Sequence, residues 1–142
     1  MIPRLKSVTV TDFRSIRGTV TVPLDSPMVL IHGQNGSGKT SLLSAIELGL
    51  TGQVASLTRV DPTCESHLVH KAAAEGRVSI TVDGLTDLAQ SAEIKSINRR
   101  FSGKGALSPL LSRFYGERCY LAQSTLARLL EIYQHKDARL TE

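Results

Sequence analysis

The chain has 142 residues, of which 41% are hydrophobic and 21% charged, and its 17 basic and 13 acidic side chains give a net charge of +4. This composition is ordinary for a soluble globular domain, and no apolar run approaches the roughly 18–20 residues of a membrane-spanning helix. The N-terminus lacks the apolar core of a secretory signal, and Cys64 and Cys119 have no metal-site spacing. We therefore expect a cytoplasmic protein without a membrane span, a zinc site or a disulfide framework. The mild basic excess permits a nucleic-acid partner without demonstrating one.

The first predicted elements form a hairpin of two strands. Residues 5–13 alternate apolar and polar side chains and are rich in β-branched residues, which is typical of a strand. After a polar turn, residues 19–22 predict a second strand, which Pro23 ends. The apolar run at residues 28–32 predicts a buried strand that feeds the next loop, with His32 as a packing residue. The chain is thus predicted to open with an antiparallel hairpin followed by a core strand.

Residues 33–40 form the most informative motif of the chain. They read G-Q-N-G-S-G-K-T, fill the pattern G-x-x-x-x-G-K-[S/T], and lie between an apolar run and a helix-forming run. Glycines let a backbone approach phosphate closely, and N–H groups at a helix start attract anions. We predict a nucleoside triphosphate site in which Lys39 reaches the β- and γ-phosphates and the Thr40 hydroxyl binds Mg²⁺. The alternative is a chance glycine-rich turn that caps a helix.

The elements after the loop are less regular. The helix from Lys39 is predicted to run to about Leu50, because Gly52 stops it. Alternation predicts an antiparallel strand pair at residues 77–82 and 92–101. The remaining predictions are a loop at 51–61, a short helix within 65–75, a loop at 102–105, a helical or irregular segment at 107–115, a short strand at 119–121 and a helix at 125–135.

One element that P-loop hydrolases need is missing from the pattern. A second carboxylate, at the end of a buried strand, normally helps to hold Mg²⁺. The nearest candidate is Asp83, but residues 78–82 before it alternate with polar residues and predict a half-exposed hairpin strand. The chain therefore predicts part of a nucleotide site rather than a whole enzyme. A stand-alone nucleoside kinase and a non-catalytic nucleotide-binding module stay open as alternatives, whereas a GTPase is disfavoured because no Asn-Lys-x-Asp is present.

Two segments together resemble the opening of the SMC-like ATPases, the superfamily of the SMC proteins, RecF and the SbcC-type ATPases. They read L-K-S-V-T-V-T-D-F-R-S-I at residues 5–16 and I-H-G-Q-N-G-S-G-K-T-S-L-L-S-A-I at residues 31–46. Residues 120–130, Y-L-A-Q-S-T-L-A-R-L-L, are similar to the segment that carries the Q-loop glutamine. The resemblance implies an α/β fold: the P-loop lobe of an ABC-type head, a mixed sheet with antiparallel N-terminal strands and helices, ending at the start of a coiled coil.

The resemblance also implies a domain organisation and site roles. Residues 1–142 would be the N-terminal lobe of a split head, with the coiled coil and the C-terminal lobe outside this chain. Arg14 would bind nucleotide phosphate, with an exposed turn arginine as the alternative, and Ser41 would contact the α-phosphate. Gln123 would complete the Mg²⁺ shell and order the attacking water beside Lys39, with a polar helix start as the alternative. The residues that would wrap the phosphates are Asn35, Gly36, Ser37, Gly38, Lys39 and Thr40.

The implied activity belongs to a larger assembly. In the family, two heads sandwich ATP and Mg²⁺, and hydrolysis opens the dimer. The head would act on DNA in break repair, genome maintenance or defence against phage and plasmids, in many cases with a nuclease partner. The basic residues of the second half leave both DNA contact and a plain solvated face open. They are Arg99, Arg100, Lys104, Arg113 and Arg118.

Overall fold

The computed structural model describes residues 4–83 and 91–115, and these contain five strands and three α-helices. The strands are β1 (Arg4–Phe13), β2 (Ile16–Pro23), β3 (Arg77–Asp83), β4 (Ser91–Ile97) and β5 (Arg100–Ser102). The helices are α1 (Lys39–Thr51), α2 (Ala55–Thr58) and α3 (Pro109–Phe114), with a 3₁₀ turn at Cys64–His67. No described helix has the length and apolarity needed to cross a membrane.

The strands form one antiparallel sheet in the order β2-β1-β3-β4-β5. Strand β1 lies inside it, and Val8 pairs with Val22 on one side and Ile80 on the other. Because side chains alternate along a strand, one face collects apolar residues. Its fully buried members are Val8, Val10, Val78, Ile80 and Ile94.

Helix α1 covers this apolar face. Ala45 and Leu48 are buried in the same core as the sheet residues. The helix comes very close to β3, since a Cβ added to Gly49 would lie 3.0 Å from the Cβ of Ile80. Burial of each aliphatic side chain contributes about 1.5–3 kcal/mol relative to exposure. The core therefore fixes α1, and with it the loop at its N-terminus, against the sheet.

Backbone donors from the segment before α3 satisfy the C-terminal end of α1. The N–H of Ala106 donates to the carbonyl of Gly49, and the N–H of Leu107 donates to that of Leu50, each at 2.9 Å. Gly52 donates to the carbonyl of Leu48 at 2.7 Å. The last carbonyls of a helix have no intrahelical partner, so the bonds from Ala106 and Leu107 tie the segment before α3 to the end of α1.

The sequence predictions for the hairpin, α1 and the later strand pair are confirmed. The second strand begins at Ile16, earlier than predicted, and the stretch 92–101 divides into β4 and β5 around a turn. The loop predicted at 51–61 contains α2. In place of the short helix predicted within 65–75, only a 3₁₀ turn forms, at Cys64–His67. The helical alternative for 107–115 is confirmed by α3.

The prediction of a buried strand at residues 28–32 is wrong. These residues lie outside the described sheet, and Met28 and Leu30 are 86% and 83% exposed. His32, predicted to be a packing residue, is exposed as well. An apolar run becomes a buried strand only where neighbours pair with it and cover it, and no described strand does so here. The predictions at 119–121, 125–135 and Gln123 lie outside the described residues.

Candidate nucleotide-binding site

The phosphate loop joins the exposed apolar run to the start of α1. Gly36 and Gly38 have φ values of +82° and +94°, in the left-handed region that glycine tolerates best. The N–H of Ser37 donates to the carbonyl of Gln34 at 3.2 Å, which curls the loop. Gly38 precedes α1 and supplies no side-chain cap. The first N–H groups of α1 therefore have no intrahelical acceptor and are free to bind an anion.

Lys39 folds back over this loop. Its ammonium donates to the carbonyls of Gly33 and Gln34, each at 2.6 Å. The positive charge is therefore held against the loop backbone, next to the N-terminal end of the α1 dipole. Both features favour a phosphate group at this position.

Arg14, Ser15 and Ser41 join the β1–β2 turn to the first turns of α1. The hydroxyl oxygens of Ser15 and Ser41 are 2.7 Å apart, and the N–H of Ser15 lies 3.4 Å from the Ser41 oxygen. Arg14 is half-buried and donates to the hydroxyl of Ser44 at 3.2 Å. The alternative of an exposed turn arginine is therefore wrong. The structure brings Arg14 and Ser41, both predicted site residues, to the side of the phosphate loop.

Two cavities flank this junction, and both are lined by Ser15. One, of about 340 Å³, is bounded by the loop residues Gly38 and Lys39. The other, of about 570 Å³, lies between the pair Arg14–Ser41 and the segment that carries His70 and Lys71. We call this second space the side cavity. A phosphate loop with an adjoining cavity of this size fits a phosphorylated ligand that carries a further group.

Sequence reasoning named Arg14 and Ser41 as site residues but missed the opposite wall of the side cavity. That wall carries His67, which is exposed, and His70, which is half-buried. Backbone bonds bring them there: Arg14 N–H donates to the carbonyl of Leu68 at 2.7 Å, and His70 N–H donates to that of Asp12 at 2.8 Å. No local pattern signals such long-range contacts.

The basic cluster predicted from the second half does not act as one surface. Arg99 is half-buried and donates to the carbonyls of Ala73 at 2.6 Å and Val69 at 3.1 Å. Its guanidinium is therefore held against the backbone of residues 69–73. Arg100 is exposed on β5, and Arg118 lies outside the described residues.

Lys104 and Arg113 line a third cavity, which Arg59 joins. It has a volume of about 810 Å³ and lies at the C-terminal end of α1, where Gly52 and Gly105 line it. None of its described lining residues is acidic. We call this space the basic cavity. Arg59 had not been predicted to belong with the basic residues of the second half.

The residues around the loop fit Mg²⁺ only in company with phosphate. Thr40 is exposed at the start of α1, and the described part of the chain contains no group of three or more His, Cys, Asp or Glu residues that could hold a metal ion. Asp83 pairs with Arg4 at the start of the ten-residue strand β1, whereas the loop packs beside the turn after its end. At about 3.3 Å per residue, the start and the end of β1 are roughly 30 Å apart, so Asp83 is far from the phosphate loop. Asp83 is therefore not the missing carboxylate.

Comparisons with known proteins agree with this geometry. The AAA_23 family, described as an AAA domain, matches residues 7–134. The chain is 28% identical over 117 residues to the chromosome partition protein Smc of Gloeobacter violaceus, which covers 82% of this chain and 10% of Smc. It is 30% identical over 96 residues to the DNA replication and repair protein RecF of the same organism, covering 68% of this chain and 24% of RecF. The chain thus spans a quarter or less of these relatives.

The fold also has a solved counterpart. A structure from work on the structural biochemistry of ATP-driven dimerization and DNA-stimulated activation of SMC ATPases superposes with a TM-score of 0.65 at 17% identity. The superposition covers 89% of this chain and 90% of that one. At this identity the likeness shows the fold, which is that of the SMC ATPase head lobe.

Proposed function

The chain belongs to the AAA_23 family of AAA domains, and from that premise we propose that it is the N-terminal, ATP-binding lobe of a split ATPase head in an SMC-like protein that acts on DNA. The observation that carries the proposal is the position of Lys39. Its ammonium lies against the loop carbonyls of Gly33 and Gln34, beside the uncapped start of α1. A cation and free backbone N–H groups at one place form a site for a polyphosphate.

Each part of the site has a role toward ATP. The N–H groups of residues 35–40 and the Lys39 ammonium would hold the phosphates, and Ser41 would contact the α-phosphate. Arg14 would use its remaining N–H donors on phosphate, because it has five such donors in all. Mg²⁺ would neutralise phosphate charge and bind the Thr40 hydroxyl. The side cavity would take the nucleoside. Gln123 remains the predicted residue for ordering water.

Two observations support the view that a further body completes the head. Met28 and Leu30 are exposed apolar residues just before the phosphate loop, and a complementary lobe would cover them. No described carboxylate lies where it could hold the nucleotide's Mg²⁺. We propose that the C-terminal lobe supplies that carboxylate and that a second head closes over the ATP.

The basic cavity supports DNA as a partner. Its described lining includes the cations Arg59, Lys104 and Arg113 and no acidic residue, which suits a phosphate backbone. Two relatives are named for chromosome partition and for DNA replication and repair. Break repair, genome maintenance and defence remain the predicted processes, in the cytoplasm and with a nuclease as a predicted partner.

The proposal is tested by nucleotide binding to the chain and to its Lys39→Ala variant. A hydrogen bond to a charged group contributes about 1.5–3 kcal/mol, so we expect ATP affinity to fall by about 10- to 100-fold. Lys95→Ala is the control, because Lys95 lies exposed on β4 beside Glu93. Calorimetry with and without Mg²⁺ measures both variants.

A hydrolysis assay distinguishes the remaining alternatives. We expect the chain alone to bind ATP without turnover, because the acidic strand is missing. Turnover, or transfer of phosphate to a nucleoside by the chain alone, would establish a complete small enzyme instead. If ATP does not bind, or if it binds Lys39→Ala and the wild type equally, the site assignment itself is wrong.

A further inference from the structure

One wall of the side cavity has no regular secondary structure. The 3₁₀ turn ends at His67, and the chain then continues without helix or strand until β3 begins at Arg77. The opposite wall, at Arg14 and Ser41, is built on the β1–β2 turn and α1. The shape of the cavity therefore depends on what holds residues 68–73 in place.

The first half of this segment is anchored to the end of β1. Phe13 and Val69 form an antiparallel bridge, and Leu68 and Val69 are buried. The N–H of Arg14 donates to the carbonyl of Leu68 at 2.7 Å, and the N–H of His70 donates to that of Asp12 at 2.8 Å. These bonds fix the segment up to His70 and leave the following turn to other contacts.

Arg99 supplies those contacts. It lies in the turn between β4 and β5, with φ at +64°. One terminal nitrogen donates to the carbonyl of Ala73 at 2.6 Å, and the other donates to those of Val69 at 3.1 Å and His70 at 3.5 Å. A planar guanidinium with a rigid fork of donors suits such a set of converging carbonyls, whereas an ammonium does not match it.

The turn that Arg99 encloses carries the residues that face the cavity. The N–H of Ala73 donates to the carbonyl of His70 at 2.9 Å, and the N–H of Ala72 donates to the ring Nδ1 of His70 at 3.1 Å. Lys71 lies within this turn and lines the cavity with His70. Holding the ends of the turn therefore sets the position of both side chains.

Arg99 also brings a positive charge to the lining of the side cavity. Among the described ion pairs none involves Arg99, and Arg99 lines the side cavity together with Arg14 and Lys71. The hydrogen bonds of Arg99 go to backbone carbonyls, which leaves its positive charge without a carboxylate partner among the described residues. The guanidinium is thus held as part of the frame of the cavity wall.

We propose that Arg99 is a positioning residue for nucleotide binding: it holds residues 69–73 as the wall of the side cavity that receives the nucleoside. This inference rests on the proposed function, because it requires a nucleotide whose phosphates bind at Lys39. Removal of the Arg99 guanidinium loosens residues 69–73 and leaves the phosphate loop unchanged. The nucleoside contribution to affinity falls, and the phosphate contribution stays.

The test compares ATP with inorganic tripolyphosphate, which carries the phosphates without a nucleoside. Calorimetry measures both ligands on the wild type, Arg99→Gln, Arg99→Lys and Arg100→Gln. The last variant is a matched control, since it removes the same charge from the neighbouring exposed residue. For Arg99→Gln we expect ATP affinity to fall about tenfold, as expected when preorganisation is lost, with the tripolyphosphate affinity unchanged. Arg99→Lys keeps the charge and recovers only part of the loss.

Other outcomes overturn the inference. An equal loss for both ligands, an unchanged ATP affinity, or the same loss in Arg100→Gln would mean that Arg99 does not position a nucleoside wall. A wild type that binds ATP no more tightly than tripolyphosphate would also overturn it, while leaving the phosphate loop intact. If Arg99→Gln does not fold, which circular dichroism shows, Arg99→Lys carries the comparison. Failure of the proposed function is distinct, because the wild type would then bind neither ligand.

Discussion

At the residue scale, Gly38 is a position where the phosphate loop tolerates little change. Its φ of +94° lies in the left-handed region, and an added Cβ would lie 3.3 Å from Cγ1 of Ile16 and 3.5 Å from the Ser15 hydroxyl. Both neighbours line the cavity beside the loop. A side chain at residue 38 would therefore strain the backbone and also enter the space next to the bound phosphates.

These two effects can be separated by comparing Gly38→Ala with Gly18→Ala. Gly18 has a φ of +72°, and nothing lies within 4 Å of an added Cβ. Left-handed backbone costs an L-residue about 1–2 kcal/mol, so we expect similar losses in the free energy of unfolding, measured with urea. ATP affinity should fall at least about tenfold in Gly38→Ala only, since a loss of 1.4 kcal/mol suffices. Equal ATP affinity in the two variants would contradict the role given to Gly38.

The same scale shows what a sequence can reveal about a site. Spacing alone predicts the roles of Lys39 and Thr40, because the phosphate loop is a local structure whose donors come from consecutive residues, and the family resemblance adds Ser41. Arg99 could not be identified in this way. Its partners are the carbonyls of Val69 and Ala73, which are 30 and 26 residues away, and carbonyls leave no mark in the sequence.

At the element scale, α1 is joined to α2 by a buried carboxylate. Glu47 is 2% exposed and accepts hydrogen bonds from the N–H of Ser56 at 3.1 Å and from the Ser56 hydroxyl. A buried carboxylate is costly unless it is hydrogen-bonded. The pair therefore positions α2 on the helix that carries the phosphate loop, and it also fixes the segment that leads to Arg59.

Ser56→Ala should destabilise the chain by about 1.5–3 kcal/mol, the range for hydrogen bonds to charged groups. The substitution removes one donor and leaves the carboxylate of Glu47 buried with the backbone N–H alone. Ser66→Ala is the control, because the exposed Ser66 hydroxyl donates to the neutral carbonyl of Thr63 at 2.9 Å. Chemical denaturation gives both free energies of unfolding. Losses of the same size would show that the carboxylate is not the cause.

Elements are predictable from sequence where their partners are close in the chain. Strands β1 and β2 form a hairpin, and α1 covers the sheet through its own apolar face, so local patterns identified all three. Residues 28–32 show the opposite case. Their apolar side chains match a buried strand, but burial requires neighbouring strands, and the described sheet places none beside Met28 or Leu30. The apolar pattern indicates side chains that are stable when buried, but the described part of the chain does not cover them.

At the scale of the whole molecule, α1 connects two different sites. The phosphate loop lies at its N-terminus, and the basic cavity lies about 20 Å away at its C-terminus, given 13 residues at 1.5 Å each. The carbonyls of Leu48, Gly49 and Leu50 at that end are already bonded to backbone N–H groups. Their partial negative charge is therefore offset, and Arg59 and Lys104 line the cavity without an acidic residue among its described lining.

Salt dependence separates a DNA site at this cavity from general attraction to a chain of net charge +4. Each phosphate contact contributes about 0.9 to the slope of log K against log salt for duplex DNA. Arg59→Gln combined with Lys104→Gln should therefore lower the magnitude of this slope by about 2 and weaken binding uniformly across sequences. Fluorescence anisotropy of a labelled duplex without nucleotide measures the slope.

The control is Arg4→Gln combined with Arg100→Gln, which changes the net charge by the same amount. Both residues are exposed, and neither lines the cavity. The control should leave the slope nearly unchanged if the contacts are localised. If both double variants lower the slope equally, DNA binding depends only on the net charge, and the basic cavity is not a DNA site. Measuring ATP affinity on the same variants completes the argument, because the cavity residues lie at the far end of α1 and their loss should not alter phosphate binding at Lys39.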